Sequence, residues 1–152
     1  MSRQDAARGA STAIGSALYG LATRAVRRLP RDMSITSAAT LATLHRSGPR
    51  RITDLAAIEG VTQPAMTVLV RVMEESGLVE RRGDASDKRV TLVCLTEAGT
   101  SYVQTRQKAG VDAFARLIDQ LADDEVEALV AALPALAHLA ELESRDREGP
   151  KR

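Results

Sequence analysis

The chain has 152 residues, 44% of them hydrophobic and 27% charged, which is an ordinary globular composition for a single core of moderate size. Its formal net charge of +1 at pH 7 argues against a protein that coats nucleic acid regardless of sequence. With one cysteine, two histidines and none of the usual metal-binding, acyl-transfer or phosphate-loop patterns, the sequence argues against an enzyme and against a metal or cofactor site.

Two helices are predicted at the start of the chain. The first runs roughly from Ala6 to Leu29 and ends before Pro30, because the residue before a proline avoids helical backbone. The second runs from about Thr36 to His45 and ends before a Gly-Pro pair. The first helix lacks the continuous apolar core of an export signal, no run reaches membrane-spanning length, and the lone cysteine fits a reducing compartment. We therefore expect a cytoplasmic protein without membrane contact.

The next segment has the spacing of a helix-turn-helix. A very short strand at Arg51-Ile52 is predicted to lie against a later ribbon, and helices are predicted over Thr53–Gly60 and Thr62–Gly77. At the start of the longer helix, Thr62 can accept a hydrogen bond from a free backbone N–H, and Pro64 is tolerated in the first turn. The closing glycine supplies the left-handed stop.

This longer helix is amphipathic. Positions i, i+3, i+4 and i+7 form its inner face, and they are Met66, Leu69, Val70 and Met73. The outer face carries Pro64, Val68, Arg71 and Glu75, flanked by Thr67. Such a face fits a DNA major groove, and the first turn, where Gln63 projects, is the end that normally meets base edges or phosphates.

Two short β-like runs between Gly77 and Gly99 predict a wing. Gly83 and Asp84 are expected at its turn, and the basic residues of the ribbon are Arg81, Arg82, Lys88 and Arg89. A ribbon of this kind can place guanidinium groups along or into a minor groove. The alternative is an ordinary hairpin whose charges are solvated. The single cysteine, Cys94, lies in the second run and is expected to be a small buried side chain.

Two further helices are predicted after the wing. Thr96 caps the first, which continues to about Leu121, and the second begins at Asp123 and contains Pro134. The charged tail over residues 144–152 is expected to be disordered. The terminal helices hold more apolar surface than one small core can cover. A homodimer with interleaved helices would bury this surplus, and a single bundle whose stripes cover one another would explain it equally well.

The order helix, helix, wing resembles the multiple antibiotic resistance regulator (MarR) family of winged-helix transcription factors. The resemblance is carried, without insertion or deletion, by Thr62–Gly77, Leu78-Val79-Glu80-Arg81, Asp84, Asp87-Lys88-Arg89 and Leu95-Thr96-Glu97-Ala98-Gly99. It extends more weakly over the whole chain. The family usually has an arginine directly after the recognition-helix threonine, whereas this chain has Val68, which offers an apolar contact to a thymine methyl.

The resemblance implies a homodimer on double-stranded DNA and a small-molecule pocket where the dimer helices meet the DNA-binding lobe. It also implies that Asp87 holds Arg89 by an ion pair and that Arg89 contacts the minor groove or a phosphate. The full set of predicted DNA-binding residues is Thr62, Gln63, Pro64, Thr67, Val68, Arg71, Arg82, Lys88 and Arg89.

The sequence therefore predicts a mainly α fold with a small β-wing, a winged helix-turn-helix that dimerises through its N- and C-terminal helices. The predicted segments are an N-terminal dimerisation helix (1–33), the DNA-binding region (34–99), C-terminal dimerisation helices (100–143) and the tail (144–152). We expect a sequence-specific transcription regulator, a ligand-responsive repressor of a pseudo-palindromic operator, with no cofactor and no enzymatic activity. The alternative is a winged-helix protein-interaction module with weak or no DNA binding.

Overall fold

The computed structural model describes residues 3–27, 32–84, 87 and 89–148. Over these residues the chain forms helices and one two-stranded antiparallel sheet, which confirms the mainly α fold with a β-wing. In chain order they are α1 (Arg3–Arg27), α2 (Ile35–Ser47), α3 (Ile52–Ile58), α4 (Gln63–Glu75), β1 (Val79–Gly83), β2 (Thr91–Leu95), α5 (Glu97–Ile118) and α6 (Asp123–Glu148).

The chain divides into two compact units, residues 1–33 and 34–152. The first unit contains α1, a helix of 25 residues that begins three residues before the predicted start. The predicted end of this helix, Leu29, lies outside the described residues. Several large apolar side chains of α1 are exposed, namely Ile14, Tyr19, Leu21 and Val26.

The core of the second unit lies between α2, α3, α4, the sheet and the first turns of α5. Its buried apolar side chains are Leu41, Leu44, Leu55, Ala56, Met66, Val70, Met73, Val79, Val93, Cys94 and Val103. The Ser34 hydroxyl caps α2 by accepting the Ser37 N–H at 3.0 Å. In the same helix the buried Thr43 hydroxyl donates to the Glu59 carboxylate at 2.8 Å, which links α2 to the end of α3.

The sheet runs in antiparallel register from Val79 opposite Leu95 to Gly83 opposite Thr91. A residue just before α3 pairs with the sheet, one position earlier in the chain than predicted. Arg50 forms the bridge, donating its N–H to the Val93 carbonyl at 3.1 Å and accepting the Val93 N–H at 2.8 Å. The prediction of a strand at Arg51-Ile52 is therefore wrong, because residue 51 is the N-cap of α3 and residue 52 its first residue.

The last helix is longer than the sequence analysis predicted. α6 continues through Pro134 and on to Glu148, so the expected disorder is wrong for residues 144–148, and residues 149–152 lie outside the described part. Glutamate and arginine favour helices, and Arg145 lies 3.8 Å from the Glu141 carboxylate one turn earlier. Among the helices of the described residues, none is both long and apolar enough to cross a bilayer.

Candidate nucleic-acid interface

The ends of α4 are set by the residues that the sequence analysis selected. The Thr62 hydroxyl accepts the Ala65 N–H at 3.4 Å, and a proline occupies the first turn. At the other end, Gly77 has a positive φ of 71° and donates to the Glu74 carbonyl, while Leu78 donates to the Met73 carbonyl, both at 2.9 Å. This pair of hydrogen bonds is a Schellman motif, so α4 has a defined start and a defined stop.

The two faces of α4 are also as predicted. Met66, Val70 and Met73 are buried and Leu69 is half-buried. The predicted outer residues are all exposed, namely Gln63, Pro64, Thr67, Val68, Arg71 and Glu75. The helix therefore presents one solvent-facing side, and a major groove is wide enough to admit an α-helix.

Within this surface, two ridges of side chains lie next to each other. Thr67 donates its hydroxyl to the Gln63 carbonyl at 2.8 Å, one turn before Arg71 on the polar ridge. The neighbouring ridge is apolar, because Val68 and Val72 are 54% and 49% exposed. Val72 is not among the predicted DNA contacts, although its position four residues after Val68 places it on the same ridge.

Three arginines of α4 and β1 are each paired with a glutamate. Arg71 Nε lies 3.5 Å from Glu75 Oε1, and Arg81 Nε lies 3.3 Å from Glu74 Oε2. Arg82, a predicted DNA contact, forms an ion pair with Glu80 of its own strand. The i, i+4 spacing of the first pair could have predicted it, whereas the second joins the end of α4 to β1 and needs the folded structure.

The turn of the wing differs from the prediction at Gly83-Asp84. Gly83 is still paired with Thr91 in the ladder, and the Asp84 N–H donates to the Val90 carbonyl at 2.9 Å. The hydrogen bonds between the strands therefore continue past the predicted turn, through Gly83 and on to Asp84. The physical reason is the register, which places Gly83 opposite Thr91, so that the loop of the wing connects Asp84 to Val90.

In this loop, Asp87 positions the backbone of Arg89. The Asp87 carboxylate accepts the Arg89 N–H at 3.0 Å, and the Asp87 carbonyl accepts the Val90 N–H at 2.9 Å. Among the ion pairs of the described residues there is none between Asp87 and the Arg89 guanidinium, so the contact implied by the resemblance is replaced by one to the main chain. Arg89 is exposed, and Lys88 lies outside the described residues.

The junction between the wing and α5 is built around Thr96. Its hydroxyl donates to the Gly77 carbonyl at 2.7 Å and accepts the Gly99 N–H at 2.9 Å, and its own N–H donates to the Leu78 carbonyl at 3.1 Å. A Cβ on Gly99 would lie 2.0 Å from the Leu78 carbonyl oxygen, so only glycine fits there. These contacts fasten the end of α4, the base of the wing and the start of α5 together.

Within the described residues there is no group of three or more histidine, cysteine or acidic side chains arranged to hold a metal ion. Cys94 is a free thiol and is buried, as expected. The candidate interface therefore consists of a helix with one polar and one apolar ridge and of a β-ribbon with exposed basic side chains.

The comparison with protein families identifies one match, in which residues 33–91 fit the MarR family. This segment contains α2, α3, α4 and β1, and it ends at the first residue of β2. The match therefore covers the helix-turn-helix and most of the wing.

Solved structures with the same fold span nearly the whole chain. The transcriptional regulator Tm0710 from Thermotoga maritima has a TM-score of 0.74 at 19% identity, over 87% of this chain and 96% of that one. A variant of MepR from Staphylococcus aureus, bound to an oligodeoxyribonucleotide, has a TM-score of 0.62 at 25% identity, over 87% and 96%. MepR bound to ethidium bromide has a TM-score of 0.59 at 25% identity, over 87% and 95%.

Proposed function

We propose, from the premise that this chain belongs to the MarR family of winged-helix transcription regulators, that it binds a pseudo-palindromic DNA site as a cytoplasmic homodimer. The main observation behind the proposal is the exposed outer face of α4, which we call the recognition helix. The second element is the wing, which comprises β1, β2 and their loop and carries exposed basic side chains. Both are held to one core by the hydrogen bonds of Thr96. The MepR variant with this fold is bound to an oligodeoxyribonucleotide.

In the proposed complex, the recognition helix lies in the major groove. Gln63 at its first turn contacts an adenine edge, and Thr67 and Val68 contact a thymine methyl. Arg71 follows on the polar ridge and contacts a base edge or a phosphate. A good base contact discriminates against the wrong base by about 1–3 kcal/mol, so these side chains determine sequence preference.

The wing supplies contacts that do not depend on base identity. Arg89 is exposed in the loop, and its planar guanidinium suits a narrow minor groove, where the negative potential is strongest. Arg82 and Lys88 are assigned to phosphates. Thr62 and Pro64 shape the first turn of the recognition helix, whose free N–H groups attract a phosphate.

Dimerisation is supported by the apolar surface of the last two helices. Exposed large apolar side chains continue along α5 and α6, among them Val111, Phe114, Leu117, Val130, Leu133 and Leu139. Monomeric soluble proteins rarely expose contiguous apolar surface of this extent. A symmetric dimer would present two recognition helices to half-sites about one helical turn, roughly 10 bp, apart.

We also propose that the protein acts as a repressor and that it responds to a small molecule. The response is supported by the MepR structure with ethidium bromide, an aromatic cation. The present chain has two tyrosines, one phenylalanine and no tryptophan. A pocket in this protein would therefore be lined mainly by aliphatic side chains and would accept a ligand of apolar rather than stacking character.

The experiment that tests the function is fluorescence anisotropy with the duplex immediately upstream of the encoding gene, with Arg89→Ala and Asp87→Ala beside the unmodified protein. The slope of log affinity against log salt should decrease in magnitude by about 0.9 per subunit for Arg89→Ala, because one cation that displaces counterions from the duplex is lost. Asp87→Ala should weaken binding less, because the arginine remains charged while its backbone loses one hydrogen bond. Unchanged affinity and slope for Arg89→Ala would show that the wing does not contact the DNA.

A protein-interaction module is the second candidate, and the exposed Val68 and Val72 favour it. An apolar ridge on a helix is also a surface that another protein can cover. Absence of binding to any duplex at low salt, with the protein folded and dimeric, would select this function over DNA binding.

A further inference from the structure

The recognition helix and the first strand of the wing carry no net charge. Residues 63–83 contain three arginines and three glutamates, and each arginine is paired with one of these glutamates. We call Glu74, Glu75 and Glu80 the paired glutamates. A surface intended only to attract DNA would gain nothing from them, because carboxylates repel phosphates.

Two of the three ion pairs contribute little to the stability of the fold, whereas the pair of Arg81 with Glu74, with side chains 36% and 38% exposed, also joins the end of α4 to β1. In the pair of Arg71 with Glu75 the two side chains are 67% and 66% exposed, and those of Arg82 and Glu80 are 65% and 40% exposed. Ion pairs at such positions are screened by water and add little to folding free energy. Breaking such an exposed ion pair costs little free energy for the same reason, so an arginine at such a position can leave its glutamate to contact a phosphate.

The exchange has a consequence for binding to DNA. Sequence-independent affinity comes almost entirely from basic side chains that replace counterions at phosphates. An arginine that leaves a carboxylate for a phosphate gains less than one that leaves water, and the carboxylate stays near the duplex. Arg89 differs from these arginines, because no ion pair joins its guanidinium to a carboxylate in the described part of the chain, although Asp87 accepts its backbone N–H.

We propose that the paired glutamates hold the arginines of the recognition helix and β1 in the free protein and thereby keep sequence-independent DNA binding weak. Discrimination then depends on the base contacts of the recognition helix, which are formed only on a matching site. This inference rests on the proposed function, and it assigns a specificity role to three acidic residues rather than a further DNA contact.

The test is a salt series with Glu74→Gln, Glu75→Gln and Glu80→Gln, which remove the charge and keep the shape of each side chain. Glu127→Gln is the matched control, since it changes net charge equally at an exposed position on α6. The probes are the duplex upstream of the encoding gene and a shuffled duplex of the same composition. Each substitution in the paired glutamates should raise affinity for the shuffled duplex roughly fivefold at low salt, the effect of one nearby unit charge.

The salt slope should also become steeper, by up to about 0.9 for each arginine released. If Glu127→Gln raised the affinity for the shuffled duplex equally, the increase would be an effect of net charge alone, which would overturn the proposal. A loss of affinity in Glu75→Gln for the upstream duplex alone would mean that Glu75 accepts from a cytosine amino group, which would also overturn it. If the unmodified protein binds and the variants match it, only this inference fails. If no protein binds either duplex, the proposed function fails as well.

Discussion

Two parts of the second unit place their apolar side chains differently. In the packed region, residues 34–103, Leu41, Met66 and Val70 are completely buried. In the outer helices, which are α5 beyond residue 103 and α6, Val111, Val130 and Leu133 are 60%, 58% and 57% exposed. The packed region therefore completes its own core, whereas the outer helices keep an exposed apolar surface, which the proposed dimer would cover.

The difference separates two tasks that one chain must perform. The packed region positions the recognition helix and the wing through short-range capping bonds and a small core. The outer helices carry the surface that would place a second copy of that region at the correct distance on DNA. Four predictions test this division, from the largest expected effect to the smallest.

Deletion of residues 123–152 should abolish the dimer and lower affinity for the operator by about 10³-fold or more, to the level of non-specific binding, because a single half-site buries too little surface. Sedimentation and anisotropy measure the two effects. Deletion of residues 149–152 alone is the control and should change neither. A soluble truncated monomer with unchanged operator affinity would contradict the division.

Leu41→Ala and Leu133→Ala compare the two parts by the same substitution. Leu41 is buried within the chain, so its loss should cost about 2–5 kcal/mol of unfolding free energy at every protein concentration. Leu133→Ala should cost less than about 0.5 kcal/mol in the dilute monomer and more in the concentrated dimer, since only association buries that side chain. Urea unfolding at two concentrations measures both. A cost for Leu133→Ala that is independent of concentration would place Leu133 in a monomer core.

Gly99→Ala tests the junction of α4, the wing and α5 within the packed region, from which α5 continues into the outer helices. The new Cβ would lie 2.0 Å from the Leu78 carbonyl oxygen, which is backbone and cannot move freely, so we expect a loss of about 3 kcal/mol. Gly77→Ala is the matched glycine, because its φ is 71° and nothing lies within 4 Å of the added atom. It should cost about 1–2 kcal/mol from backbone strain alone. Equal losses in thermal unfolding would show that the close approach at Gly99 is relieved by a shift of the wing.

Much of the packed region could be predicted because its signals are local. The caps of Thr62 and Thr96 and the helix stop at Gly77 act on groups within a few residues of themselves, although Thr96 also bonds to the distant Gly77 carbonyl. The spacing of Met66, Val70 and Met73 identifies the buried face without knowledge of the fold. The mainly α fold with a wing follows from these signals in order. The assignment of individual residues to DNA stays a prediction.

The features that sequence reasoning missed depend on distant partners. The bridge at Arg50 and the pair of Arg81 with Glu74 exist only when the sheet lies beside α4. Gly83 and Asp84 predict the wing turn because glycine and aspartate favour turns, but the register of the sheet determines where the strands separate. The charge of residues 144–148 predicts a disordered tail, although charged residues also form solvent-exposed helix.

The last prediction concerns Asp112, between two exposed apolar side chains of the outer helices, Val111 and Phe114. A hydrogen bond from Lys108, at 2.8 Å, is the main cause that lowers the pKa of Asp112. Desolvation opposes it, and the charges of Lys108 and Arg116 add lesser lowering effects. Lys108→Met should therefore raise the pKa toward its ordinary value, and Arg116→Met should raise it less.

The sign of the stability effect follows from this shift. Because the folded-state pKa is depressed, the ionised carboxylate stabilises the fold above the unfolded-state pKa, and this contribution is lost as pH falls through the folded-state value. The difference in unfolding free energy between the unmodified protein and Lys108→Met should be small at neutral pH, since the pair is solvated, and should vanish in acid. Carbon-detected NMR titration of the Asp112 carboxyl gives the pKa directly. A larger shift for Arg116→Met than for Lys108→Met would mean that long-range charge, and not the hydrogen bond one turn away, controls this surface of α5.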